Sequence, residues 1–164
     1  MGSGKSSVGK KLADVLGFHY FDLDDFIQEK EGKSIKEIFS IKGEVYFRKI
    51  ESKYLSEIIS SSNSVISLGG GTPCYGNNMQ TIKNSEITSS IYLKASLTNL
   101  TDRLFLEKNN RPLIAHIEDK GELQEFIGKH LFERSMYYNQ SDITINTDRI
   151  SVDEVVETIV LKLF

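Results

Sequence analysis

The first residues with chemical promise are Gly4-Lys5-Ser6, in the opening run MGSGKSSVGKKLADVLG. Glycines let successive backbone N–H groups curl around phosphate oxygens, and a helix that starts there adds its positive end. In such a loop Lys5 reaches the β- and γ-phosphates of a nucleotide, and the Ser6 hydroxyl ligates Mg²⁺. The complete pattern, G-x-x-x-x-G-K-[ST], needs a first glycine that would fall before Met1. Taken alone, the run also reads as a flexible Gly/Ser start before an ordinary helix.

YFDLDDF, Tyr20 to Phe26, supplies carboxylates. Asp22 and Asp24 lie two apart at what reads as the end of a strand, so both face one side. Such strand ends border the ligand crevice of parallel α/β sheets. Two carboxylates there repel unless a cation or a hydroxyl answers them. Asp22 suits a water in a Mg²⁺ shell, and Asp24 suits the proton of an acceptor hydroxyl. Helix capping by Asp24 or Asp25 competes with this; we assign capping to Asp25 and chemistry to Asp22 and Asp24.

Arg48, with Glu44 and Glu51 at helical spacing, reads by itself as part of a surface ion-pair ladder. Arg111 stands beside Pro112 in the polar interruption EKNNRP, which suits a lid. Arg134 lies well inside a helix and Arg149 in a turn after the last strand, and neither position alone demands a function. Gly69-Gly70-Gly71 asks for more. Three glycines directly after an apolar strand carry an entropic cost that close approach of another group would justify, a loose turn being the alternative. Cys74, the only cysteine, reads as a small packed side chain, and His19, His116 and His130 lack ligand spacing.

Hydrophobic spacing locates the elements that must hold these residues. Val8, Leu12, Val15 and Leu16 predict a helix over 6–16, ended by Gly17. Phe18 to Asp24 alternates as a strand. Ser34 and Glu37 form a capping box, and Phe47, Ile50, Tyr54 and Ile58 mark a longer helix after Gly43. VISL, SSIYLKA and DITIN read as further strands. Helices follow Ser96, run through Leu123 to Arg134, and start again at the Ser151/Glu154 capping box. This alternation argues for α/β with a parallel sheet, its strands apolar on both faces. Four strands are visible, and a phosphate loop needs one more feeding into it.

The 164 residues suit a single domain over 1–164, and the net charge of -3 advertises neither nucleic acid nor a membrane surface. No apolar run approaches the length of a bilayer span. A single cysteine excludes an intrachain disulfide. A cytoplasmic monomer is the expectation.

Taken in order, GSGKS, DLD, GEVYFRKIE, SLGGG, NNRPL, ER with its tyrosines, and NTDR resemble the shikimate kinase family almost end to end. The resemblance implies a P-loop kinase with the three-layer fold of nucleoside monophosphate kinases. Its parallel five-stranded sheet would have the order 2-3-1-4-5, and the first strand would be missing from this chain. It implies transfer of the γ-phosphoryl of ATP to the 3-hydroxyl of shikimate, on the route to the aromatic amino acids. Asp24 would bind the ring hydroxyls and act as base. Arg48, Arg134 and the backbone at Gly70 and Gly71 would hold the substrate, the arginines on its carboxylate. Gly2, Ser3, Gly4, Lys5, Ser6 and Ser7 would cradle the phosphates, and Ser6 and Asp22 would serve Mg²⁺. Arg111 would meet the transferring group from a lid around 105–120, and Arg149 would flank adenine.

NTDRIS lacks the proline often found after this arginine, which weakens the Arg149 assignment. Met1 is expected to be an internal residue of the loop, with the missing strand encoded upstream. Two alternatives stand beside this reading: another small-molecule P-loop kinase, such as one acting on gluconate, or a nucleotide-binding module without catalysis.

Overall fold

The computed structural model describes residues 2–108, 111 and 113–164. Their contacts divide the chain into two compact units, residues 6–90 and residues 1–5 with 91–164.

In the 6–90 unit, helix α1 (Lys5–Leu16) ends at Gly17, whose φ of 66° turns the chain into strand β1 (His19–Asp22). The strand stops two residues sooner than the alternation predicts. Asp22 Oδ1 accepts from the Asp24 backbone N–H at 3.0 Å, and this cap starts helix α2 (Leu23–Glu31). Capping therefore falls to Asp22 rather than Asp25, and Asp24 lies in the first helical turn instead of on a strand. Helix α3 (Ile35–Ile58) opens on the expected Ser34/Glu37 capping box. It bends at Gly43, whose φ of 77° and ψ of 174° belong to a region essentially reserved for glycine.

Strand β2 (Ser64–Ser67) pairs parallel with β1, from His19 opposite Ser64 to Asp22 opposite Ser67. A short 3₁₀ turn (Thr72–Cys74) and helix α4 (Asn78–Lys83) complete the unit. Helices α2 and α3 bury Leu23, Ile27, Ile38, Phe47, Ile50, Leu55 and Ile58. Tyr54 stacks edge-on with Phe26 in the same layer, ring centroids 5.9 Å apart. Burial of this kind contributes about 1.5–3 kcal/mol per large side chain.

In the 91–164 unit, strands β3 (Ile91–Lys94) and β4 (Ile143–Asn146) pair parallel from Ile91 opposite Ile143 to Lys94 opposite Asn146. Helix α5 (Leu97–Glu107), capped by Ser96, packs on helix α6 (Lys120–Tyr138), capped by Asp119. Between them lies a core of Ala95, Leu100, Leu104, Ile114, Ile117, Leu123 and Ile127. Helix α7 (Val152–Leu163) starts at the predicted Ser151/Glu154 capping box and packs on β4.

Among the described residues the strands form two parallel pairs, β1 with β2 and β3 with β4. Their faces are less covered than two-sided burial predicts: Ser67, Leu93 and Ile145 are the only fully buried strand residues among those described.

Candidate functional site

Gly2 and Gly4 take φ of 72° and 85°, and α1 begins at Lys5. Only glycine fits at residue 2, because a Cβ there would also lie 2.9 Å from Leu104 Cγ. Ser6 and Ser7 are exposed in the first turn of α1, which carries no acidic side chain. α2, α3, α6 and α7 all place an acid there. α4 and α5, like α1, place none.

The densest chemistry lies around the triple glycine. Strand β2 delivers Gly69-Gly70-Gly71 into a turn closed by Thr72 N–H to the Gly69 carbonyl (3.1 Å) and Cys74 N–H to the Gly71 carbonyl (2.9 Å). Half-buried Asp24 lies against one end: a Cβ on Gly69 would stand 3.5 Å from Asp24 Oδ1. Arg48 lies against the other, for a Cβ on Gly71 would stand 3.4 Å from both Nη1 and Nη2. The glycines are therefore no loose turn. They let a carboxylate and a guanidinium close on the same backbone.

Arg48 is held on several sides. Nη1 donates to Glu51 Oε2 at 2.9 Å, Nε lies 3.5 Å from Glu44 Oε1, and Cζ sits 3.7 Å from the centroid of the Tyr75 ring. The Tyr75 hydroxyl donates to Glu44 Oε1 at 3.1 Å. Glu51 is only 1% exposed, so the pair is no surface ladder. Burial opposes the Arg48 charge, but the Glu51 hydrogen bond and the charges of Glu51, Tyr75 and Glu44 outweigh it and raise its pKa above the usual arginine value. Nε has no hydrogen-bond acceptor among the described residues. A planar, fixed, permanently charged group of this kind suits a carboxylate ligand.

The other predicted residues are placed as follows. Arg111 donates to Glu107 Oε2 through Nη2 (2.7 Å) and Nε (3.2 Å). Within the expected lid, Ile114 and Ile117 are buried in the α5/α6 core, while Leu113 is exposed. Asn109, Asn110 and Pro112 of the lid motif lie outside the described residues. Arg134 is half-buried on α6, where its charge helps burial lower the His130 pKa. Arg149 is exposed and takes a φ of 60°, unusual for a residue with a side chain. Gly70 accepts a long contact from Cys74 Sγ at 4.0 Å. The sequence reading paired Glu51 with Arg48 but took the pair as exposed, and it missed Thr72, Tyr75 and Asn78. Glu51 stands three residues after Arg48, a spacing that signals a contact but not its burial.

Among the described residues no three His, Cys, Asp or Glu side chains gather into a metal cage. Mg²⁺ at a nucleotide needs none, since it is held by one or two protein groups with phosphates and waters. The Ser6 hydroxyl and the Asp22 carboxylate are of that donor type.

The family model described as shikimate kinase matches residues 1–164. The shikimate kinase of Flavobacterium johnsoniae is 45% identical over 160 residues, 97% of this chain and 92% of the relative. That of Flavobacterium psychrophilum is 42% identical, covering 100% of this chain and 95% of the relative. The crystal structure of shikimate kinase from Bacteroides thetaiotaomicron superposes with a TM-score of 0.89 at 32% identity, over 99% of this chain and 93% of that one. The Acinetobacter baumannii shikimate kinase in complex with shikimate gives 0.85 at 30% identity, over 99% and 88%. With parallel strands and matches along its whole length, the chain belongs to the shikimate kinase family of ATP-dependent kinases.

Proposed function

We propose that the chain moves the γ-phosphoryl group of ATP to the 3-hydroxyl of shikimate, with the acceptor lying across Gly69–Gly71 between Asp24 and Arg48. One observation carries this reading: a carboxylate and a guanidinium pack against the two ends of the same glycine turn. That pairing suits an acceptor that is both an alcohol and an acid. Asp24 accepts the hydroxyl proton as oxygen attacks phosphorus. Arg48, with Arg134, grips the carboxylate, and the Gly70 and Gly71 backbone borders the ring.

Phosphoryl transfer asks for positioning and neutralisation of charge. Gly2, Ser3, Gly4, Lys5, Ser6 and Ser7 hold the phosphates, Lys5 with its ammonium and the others with amides and hydroxyls. Ser6 and Asp22 hold Mg²⁺, which supplies further positive charge against the phosphate oxygens when bound. Arg111 meets the transferring group from the 105–120 lid of one catalytic domain, and Arg149 lies beside adenine. Closure of the lid keeps water from the phosphoryl group. In the same reading the two parallel pairs belong to a sheet of order 2-3-1-4-5. The chain works in the cytoplasm as a monomer, without nucleic-acid or membrane partners. No described helix is long and apolar enough to cross a membrane.

The test is ADP release from Mg-ATP with shikimate, gluconate and nucleoside monophosphates offered separately. Shikimate alone should support turnover. Turnover with gluconate alone supports the other small-molecule kinase, and tight Mg-ATP binding with no acceptor-dependent turnover supports a non-catalytic module.

A further inference from the structure

Thr72 and Asn78 are buried polar residues of the 6–90 unit with no part in the chemistry above, at 0% and 2% exposure. Their hydrogen bonds form one line. Asn78 Nδ2 donates to the Thr72 carbonyl at 2.8 Å, and Thr72 Oγ1 donates to Glu51 Oε1 at 2.8 Å. Glu51 Oε2, the other oxygen of that carboxylate, accepts from Arg48 Nη1 at 2.9 Å. The line runs from α4 through the turn after the glycines to α3, and ends on the guanidinium.

Burying such groups costs free energy that returns only when every partner is present. Apolar residues would pack α4 on the turn without that cost, so the line calls for a reason beyond packing. The reason lies in the carboxylate torsion, which is broad and roughly two-fold when unrestrained. With its hydroxyl on one oxygen, Thr72 narrows that torsion and keeps the other oxygen directed at Arg48. The same residue closes the glycine turn through its backbone N–H. One residue thus ties the arginine and the turn into a common frame.

We propose that Thr72, supported by Asn78, is a positioning residue for the acidic group of the acceptor, locking the Glu51 carboxylate and through it Arg48 against the Gly69–Gly71 turn. The inference rests on the reading that Arg48 holds the shikimate carboxylate.

Steady-state kinetics of the full chain test it, both substrates being varied. Thr72→Val keeps the shape, removes the hydroxyl and leaves Glu51 Oε1 buried without that donor. Its KM for shikimate should rise about tenfold, while KM for ATP stays within about twofold. Thr72→Ser returns the donor and should restore the shikimate KM. Thr72→Ala is measured beside them in case the valine variant does not fold. A normal shikimate KM in either folded variant overturns the proposal, as does a parallel rise in both KM values or a serine variant that fails to rescue. Absence of shikimate turnover in the parent is seen before any variant is made; it overturns the functional reading, and this inference with it.

Discussion

Asp24 and Arg48 carry the account at the scale of single residues, and each can be removed cleanly. Asp24→Asn keeps the size and loses the base, so kcat should fall by about 10²–10⁴-fold in a coupled ADP-release assay. Near-normal turnover would take the base role from Asp24. Gly71→Ala inserts a methyl 3.4 Å from the Arg48 nitrogens and 3.5 Å from Tyr75 Cε2. It should raise the shikimate KM about fivefold by filling space beside the guanidinium where the acceptor is proposed to lie, with KM for ATP unchanged. Residue types and order were enough to nominate Asp24, Arg48 and the glycines. Their partners were not legible in the same way. Glu51 looks like any helical acid beside an arginine, because spacing cannot say which face of α3 meets the Thr72 turn. The cap of α2 was assigned to Asp25 rather than Asp22 for a similar reason: a carboxylate two residues before an N–H can cap a helix or end a strand, and only the backbone φ and ψ decide.

At the scale of elements, caps and turns were the most readable features, since Ser34, Ser96 and Ser151 act through neighbours three residues away. The break at Gly43 was read as the start of a longer helix, and it is the place where α3 bends. Gly43 supports the bend by backbone conformation alone, with nothing within 4 Å of a built Cβ. Gly43→Ala should therefore lower unfolding free energy by about 1–3 kcal/mol in urea denaturation. Helices α2 and α3 are also joined by Glu31, which accepts from the Tyr54 hydroxyl at 2.8 Å and the Tyr46 hydroxyl at 2.9 Å. The Tyr54 bond, then the Tyr46 bond, lower the Glu31 pKa, and the Glu31 bond pushes the Tyr54 hydroxyl up to about 12. A lowered carboxylate pKa gives stability that is present above the ordinary carboxylate range and lost as pH falls through the folded value. A raised tyrosine pKa gives stability that is full below about 10 and lost as pH rises through about 12. Tyr54→Phe should cost about 1.5–3 kcal/mol near neutrality. In melting curves its deficit should shrink at both extremes, and a deficit independent of pH would contradict the linkage.

For the whole molecule, the alternation of helix and strand disclosed α/β architecture and parallel pairing, because both follow from local periodicity. The pairing partners of strands far apart in sequence, and the burial of their faces, are set by packing that periodicity does not encode. Distant residues such as Asp24, Arg48 and Arg134 could be grouped only through resemblance to a family in which those motifs serve one substrate. The central claim is that these three residues receive a single acceptor. A crystal structure of the protein with shikimate and a non-hydrolysable ATP analogue tests it most directly. The account predicts the shikimate carboxylate within hydrogen-bond distance of Arg48 and Arg134, and its 3-hydroxyl on Asp24 facing the terminal phosphate. Shikimate bound away from Asp24, or with its carboxylate turned from Arg48, would contradict it.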